Sequence, residues 1–430
     1  MSKVINIAIV GLGQIGNYLY HEIIQKKKEL EIISGKKINI SAISARNKNK
    51  KRFFKINKKI FYTNPFEILN LSNIDILFEC IGYSDGVSKK IVEKALKKKI
   101  HVITPNKALI AKHGDTLSKL AEQNNVNLEF EASVGGGIPI LRTIKDGLQT
   151  NKFKKVFGIL NGTTNYILTE MENKNENFLK VLKKAQQLGY AEPGNPKLDL
   201  NGFDALAKVR ILSSLAFKNQ VSDHKRIMEG IENIELKDIK IASQLGLRIK
   251  LIGISQLINN QLFEAVHPCL VKKNSYIGNV NGVMNAIILE GKPIGENILQ
   301  GEGAGPGPTS SSLLADLLSI LREDVRNPFG ISSKKRKKIK NFNNDKYVNS
   351  LYLRFEVKDK PGVLSLITNR LAKYKISIKR IIQTPDKKNN HATIVIITHK
   401  TTELNSRNCL KVFRKNKYIT KFPTLIRLYN

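Results

Sequence analysis

Between Gly189 and Phe217 the chain reads GYAEPGNPKLDLNGFDALAKVRILSSLAF, a stretch that gathers Glu192, Asp199, Asp204 and Lys208. From Phe203 onward a helical period sets Asp204 and Lys208 one turn apart on one face. That face continues through Ile211, Leu212 and Leu215, while Arg210 and Ser214 fall elsewhere. A carboxylate and an ammonium that open an apolar stripe mark the mouth of a pocket, whereas an ordinary i,i+4 ion pair lies on a solvated helix. A second chemical signal, GLGQIG, directly follows the β-branched run VINIAIV at residues 4–10. Gly11 permits a tight turn, Gly13 lets the backbone approach a pyrophosphate, Gly16 allows close helix packing, and the amides of Gln14 and Ile15 begin a helix that faces the anion.

These groups need a sheet to hold them. After VINIAIV come strand-like runs at 36–44, IDILFECIG (74–82), IHVITPN (100–106) and VNLEFEAS (126–133), each but the last followed by a helical pattern. Such alternation predicts an α/β fold, a Rossmann-type doubly wound parallel sheet over residues 1–134 that binds a dinucleotide. The second strand follows an elongated, lysine-rich connection and ends in ISARNKNK, where an NAD site would carry an acid. Arg46 can meet a 2′-phosphate there, so NADP is preferred over NAD; a solvated basic loop is the plainer reading. Lys107, in TPNKALIA, stands where a strand ends and a helix begins, at the ligand-binding edge of such sheets, although spacing alone leaves it a solvated lysine. In EASVGGGIPI, Glu131 with the glycine bend suits either a hard cation or a hinge between domains.

Residues 135–330 predict a mixed α/β substrate-binding and dimerisation domain with an antiparallel sheet, its last segment returning to the nucleotide domain. Its elements are a strand FKKVFGIL, a loop NGTTN, helices over YILTEMEN and 177–188, and a helix over 236–252. Then come a strand-like run ISQLINNQLFEAVHPCLV, a strand NAIILEG, and the glycine loop GEGAGPG leading into an N-capped helix. The tract SSKKRKKIKNFNNDK, within 331–346, predicts a solvated basic linker. Residues 347–430 read strand, helix, strand, strand, helix, strand, a βαββαβ unit of ferredoxin-like type.

A chain of 430 residues with a net charge of +36 could suggest a nucleic-acid partner. The excess, however, is lysine dispersed along the chain beside many Asn and Ile, with few arginines and no Trp, unlike a phosphate-binding face built for stacking. Three scattered cysteines lack metal or disulfide spacing, which points to a reducing compartment. No apolar run is long enough for a membrane span and no signal sequence is evident, so a cytoplasmic protein without membrane partners is expected.

The motifs NGTTNYI, LGYAEPGNPKLDLNGFDALAKVRIL, TPNKALIAKHG, EASVGGGIPI and GEGAGPGPTSS resemble those of monofunctional homoserine dehydrogenases with a C-terminal ACT domain, over nearly the whole chain. The resemblance implies NADPH-dependent reduction of L-aspartate 4-semialdehyde to L-homoserine, with Lys208 as proton donor and Lys107 beside the reacting centre and cofactor. It implies that Glu192 and Asp204 hold the substrate, with Asp199 and Thr163 in support, and that Gly189 and Gly303 touch the cofactor. Glu131 with the backbone of Val134, Gly136 and Ile138 would match a sodium site. The ACT resemblance implies an amino-acid effector, threonine, and a homodimer or homotetramer. The PGNPK insert after Glu192 departs from the commoner pattern and loosens the alignment of Asp199. An NADP oxidoreductase for another amino-acid aldehyde, or a non-enzymatic nucleic-acid-binding or ligand-sensing protein on the same scaffold, are the alternatives.

Overall fold

The computed structural model describes residues 4–192, 194, 196–221, 226–386 and 390–429. VINIAIV forms β1 (Val4–Val10), whose last four residues are buried. With it lie β2 (Lys37–Ser44), β3 (Phe61–Tyr62), β4 (Ile76–Glu79), β5 (His101–Ile103) and β6 (Leu128–Glu129). Among the described residues these make a six-stranded sheet ordered β3-β2-β1-β4-β5-β6, every neighbouring pair parallel. Strand order reverses at β1 and β4, which opens the crevice used by ligands of such sheets. The elongated connection before β2 holds a second helix, Lys27–Ser34.

The next strands are β7 (Lys152–Ile159), β8 (Ile227–Met228), β9 (Leu247–Ile258), β10 (Gln261–Lys272), β11 (Met284–Lys292) and β12 (Gly295–Glu302). The C-terminal unit adds β13 (Val348–Asn349), β14 (Leu351–Lys358), β15 (Ile378–Asp386), β16 (His391–Thr398), β17 (Thr401–Thr402) and β18 (Ile419–Leu428). Among the described residues one ten-stranded sheet runs β12-β11-β7-β9-β10-β18-β14-β16-β15, with β8 beside β10. The order β18-β14-β16-β15, with helices Val363–Lys373 and Glu403–Val412, is the ferredoxin-like arrangement. Helix Pro306–Leu321 returns to the first unit, where Leu313, Leu317 and Ile320 share a core with Ile7, Ile9 and Leu19.

Five expectations change. The helix begun at Leu236 ends at Gln244, because Gly246 takes a left-handed conformation (φ 73°) and the run LRIKLIGI then starts β9. The run read as one strand from 254 folds into the hairpin β9–β10 at Asn259 and Asn260, whose φ of 50° and 59° fit a two-residue type I′ turn. Ser214, placed off the buried stripe, is itself buried, since the helix Phe203–Ala216 is covered on nearly every side. The helix after GEGAGPG starts at Gly305 with no side-chain cap. The basic linker is solvated at its lysines but is not a free tether: Arg336 is buried, pairs with Asp115 at 2.7 Å and lies 4.1 Å over the Phe329 ring. Leu262 further exchanges backbone bonds with Lys340 and Phe342. Stacking and ion pairing thus outweigh the hydration that charge counting assigns to such a run.

Candidate active site

The helix Phe203–Ala216 carries Asp204 and Lys208 on one face, and their ion pair closes at 2.9 Å. Lys107, first residue of the helix Lys107–Asn124, arrives from the nucleotide-binding unit and places its Nζ 2.7 Å from the other oxygen of Asp204. Asp204 therefore sits between two ammonium groups. Lys208 also donates to the Leu160 carbonyl at 2.6 Å. Asn161 joins the acids: its amide nitrogen donates to Asp199 at 2.8 Å and to Asp204 at 3.0 Å. Its side-chain oxygen caps the helix Gly162–Lys174 by accepting from the Thr164 amide.

Burial divides the lysines. The Lys208 side chain is 7% exposed and that of Lys107 41%. Burial lowers the pKa of Lys208, the Lys107 charge lowers it further, and the Asp204 charge opposes both without cancelling them. Lys107 is raised by the charge of Asp204. Burial works to raise Asp204, but the charges of Lys208 and Lys107 outweigh it and hold the carboxyl far below its ordinary range. Asp199 moves the other way, raised first by burial and then by the Asp204 charge. The cluster thus presents a buried lysine nearer to losing its proton than an ordinary lysine, the condition for acid–base work.

Thr163 lies beside the cluster and donates to the Tyr190 carbonyl at 2.6 Å, tying the start of its helix to the loop that holds Gly189 and Glu192. Glu192 is exposed and forms no ion pair with the cluster; Pro193 and Asn195 of the PGNPK insert lie outside the described residues. Gly189 has a φ of 77° and open space where a side chain would stand. Gly303 and Gly136 pack backbone to backbone, a Cβ on Gly136 falling 2.6 Å from the Gly303 carbonyl carbon.

The glycines of GLGQIG differ in what forbids a side chain. A Cβ on Gly11 would come within 2.6 Å of Cys80 backbone and one on Gly16 within 2.0 Å of the Gly11 oxygen, whereas Gly13 faces open space. The helix Gln14–Gln25 begins at Gly13 with no side-chain cap, so the amides of Gln14 and Ile15 are left for an anion. Arg46 is exposed on the following loop. Arg52, which sequence reasoning passed over, reaches the Leu12 carbonyl of the glycine loop at 3.4 Å and the Asn47 carbonyl at 2.7 Å. The glycine loop and the uncapped helix start fit a dinucleotide.

The cation reading of Glu131 fits poorly. Its two carboxylate oxygens accept the amides of Leu141 (2.8 Å) and Arg142 (2.7 Å), and the Gly136 carbonyl accepts the Ser312 hydroxyl at 2.6 Å. Asp316 completes the join by accepting from the Glu131 amide and from Arg142. The bend fastens the second unit to helix Pro306–Leu321.

Two further residues position the site without a sequence signal of their own. Glu79 is fully buried at the end of β4 and accepts from Thr104 (2.7 Å), Asn106 (3.2 Å) and the Ile81 amide (2.8 Å). Asn106 in turn caps the helix that begins at Lys107. A Glu inside an apolar strand run, and an Asn three residues before a helix amide, were the available hints.

The comparisons with known proteins agree with this geometry. The homoserine dehydrogenase NAD-binding domain model matches residues 11–131, the homoserine dehydrogenase model 139–318 and the ACT domain model 351–416. The homoserine dehydrogenase of Neisseria gonorrhoeae is 36% identical over 434 residues, spanning 99% of this chain and 99% of that protein. A crystal structure of a homoserine dehydrogenase from Thiobacillus denitrificans superposes with a TM-score of 0.90 at 33% identity, over 100% of this chain and 99% of that one. A hyperthermophilic archaeal homoserine dehydrogenase in complex with NADPH shares the fold over 75% of this chain and 100% of its own, with a TM-score of 0.63 and 23% identity. With matching models across the nucleotide, catalytic and C-terminal units and relatives alike over the full length, the chain belongs to the homoserine dehydrogenase family, NAD(P)-dependent oxidoreductases, in the form that carries a C-terminal ACT domain.

Proposed function

We propose that this chain catalyses the reversible, NADPH-dependent reduction of L-aspartate 4-semialdehyde to L-homoserine, a step toward threonine, methionine and isoleucine. The observation that carries the assignment of roles is the meeting of Lys107 and Lys208 on Asp204 from two separate units. A nicotinamide cofactor bound along the glycine loop, between Lys107, Gly189 and Gly303, supplies the hydride. Lys208 gives a proton to the carbonyl oxygen as charge develops there, and in the reverse direction takes it back. Asp204 aligns both ammonium groups, since each of its oxygens already holds one. Glu192 and Asp204 hold the substrate ammonium, with Asp199 in support and Thr163 shaping the adjoining loop.

Arg46, exposed just after β2, favours NADP over NAD by offering a guanidinium where an acid would be needed for the free ribose, while Arg52 fastens the loop through backbone carbonyls. A sodium ion has little left to bind at Glu131, and no step is assigned to it. The ACT domain takes an amino-acid effector, threonine being the reading from resemblance, and the chain assembles as a homodimer or homotetramer. Among the described residues no helix is long and apolar enough to cross a membrane, and a cytoplasmic site of action is proposed. One spectrophotometric assay tests the activity: oxidation of NADPH that depends on aspartate semialdehyde, with NADH in parallel. Stoichiometric oxidation supports it. No oxidation with either cofactor would leave the sensing or nucleic-acid alternatives.

A further inference from the structure

The ACT unit is not appended to the enzyme but built into its central sheet. Strand β18 pairs in parallel with β10, setting Arg427 beside Cys269. The Arg427 side chain is 3% exposed and has two carboxylate partners. Toward its own unit it donates to Glu403 at 2.6 and 2.9 Å. Toward the catalytic unit it grips both oxygens of Glu229 at 2.8 and 2.9 Å.

Glu229 follows β8, and its amide is bonded to the Val266 carbonyl of β10. The next two residues lie against the segment that carries the acids of the active site. The Ile231 amide donates to the Leu200 carbonyl at 3.0 Å, and a Cβ added to Gly230 would sit 2.0 Å from that same oxygen. Leu200 ends the short helix Lys197–Leu200, which holds Asp199. Two residues on, Gly202 (φ 85°) starts the helix of Asp204 and Lys208; a Cβ there would strike Val266 at 2.9 Å. The backbone at 229–231 and the backbone at 200–202 therefore touch with no side chain between them. A shift of one moves the other, because close-packed backbone cannot absorb it.

We propose that Glu229 is a positioning residue of the active site, and that its ion pair with Arg427 makes the seating of the C-terminal unit set the placement of Asp199 and Asp204. This rests on the enzymatic reading above. The pair holds segment 229–231 against Leu200 while the Arg226–Glu264 pair, at 2.6 Å and fully buried, anchors its other end in the catalytic sheet. Movement of β18 on effector binding then reaches the substrate carboxylates before it reaches the nucleotide site, whose glycine loop lies on the other sheet. The effect belongs to recognition of the amino acid, not of the cofactor.

Glu403 provides the comparison, because it too makes two hydrogen bonds to Arg427 but, among the described residues, has no hydrogen bond or ion pair to segments 229–231 or 200–202. Glu229→Gln, Glu229→Asp and Glu403→Gln are made in the full chain. KM for homoserine, KM for NADP, kcat and thermal midpoint are measured, together with amide hydrogen exchange over 199–206. Expected for Glu229→Gln is a rise in homoserine KM on the order of tenfold, NADP KM within about twofold of the parent, and faster exchange at 199–206. Glu229→Asp should recover part of both effects, and Glu403→Gln should lower the midpoint to a similar extent while leaving homoserine KM and exchange at 199–206 unchanged. Equal effects of the glutamine variants on KM, or a changed midpoint without changed exchange, would overturn the proposal. Should the parent protein not oxidise homoserine, the enzymatic reading fails separately, and the exchange comparison still decides whether Glu229 holds the 199–206 segment. If Glu229→Gln does not fold, Glu229→Asp carries the same comparison.

Discussion

Lys107 and Asp204 come from different units of the chain and meet at 2.7 Å. Because Asp204 also holds Lys208, at 2.9 Å, two like charges share one carboxylate. Each lysine therefore influences the protonation of the other. Lys208 is lowered by burial and by the Lys107 charge and supported by Asp204. Replacing Lys107 with Met should move the alkaline limb of the reduction profile to higher pH, since the charged, proton-donating form of Lys208 then persists longer. Asp204→Asn should move it to lower pH. A kcat–pH profile of each variant reads the sign directly; shifts in the same direction would refute the arrangement.

Lys208→Met should lower kcat by about 10² to 10⁴-fold in both directions, the usual loss on removing a general acid or base. An apolar residue suits a helix face that continues into Ile211 and Leu212, so the fold should survive. Near-normal kcat in this variant would remove Lys208 from the chemistry.

The glycine loop separates a folding requirement from a binding one. Gly13→Ala meets open space and should leave the thermal midpoint nearly unchanged while weakening NADPH binding by about tenfold, because the new methyl occupies the path of the pyrophosphate. Gly16→Ala would set a carbon 2.0 Å from the Gly11 oxygen and should lower the midpoint as well. Titration of NADPH by fluorescence, together with thermal melts, distinguishes the two.

His267 is buried in β10, and burial, with the Arg427 charge, lowers its pKa to about 3. An unfolded chain binds that proton near pH 6.5, so between about 6.5 and 3 the unfolded state holds one more proton than the native state. The stability this group contributes is complete above pH 6.5 and is lost as pH falls toward 3. His267→Gln should flatten that part of a stability–pH curve measured by urea unfolding; an unchanged slope would contradict the assignment.

Arg354, buried on β14, donates to Asp238 at 2.7 and 3.1 Å across the junction between the ACT unit and helix Leu236–Gln244. Asp238→Asn weakens that clasp while Glu235 and Glu356 still pair with the guanidinium, and should cost about 1 to 3 kcal/mol. Unfolding by urea should report it, with cleavage in the 332–346 segment accelerated under limited proteolysis. Excision of the whole ACT unit is a poorer probe, since removing β18 exposes the edge of β10.

Local pattern made much of this protein legible in advance. A β-branched run before GLGQIG reads as a buried strand leading through a glycine turn into a helix, because period and glycine position act over a few residues. Asp204 and Lys208 were paired by helical spacing alone, and the βαββαβ order of the C-terminal unit followed from strand and helix periods. What such reasoning could not supply was contact between distant segments. Lys107 stood in the sequence as a lysine at a helix start; only the closure of two units put it on Asp204. Glu131 read as suited to a cation or a hinge, and only the fold showed its carboxylate accepting the amides of Leu141 and Arg142. The lysine tract at 332–346 read as solvated because charge is counted locally, whereas Arg336 is held by Asp115 and Phe329 from far along the chain. The insertion of β18 beside β10 is the largest such case. Sequence periodicity specifies which face of a strand is apolar, but not which neighbour covers its edge. That choice is made by long-range packing, and it joins the ACT unit to the catalytic sheet.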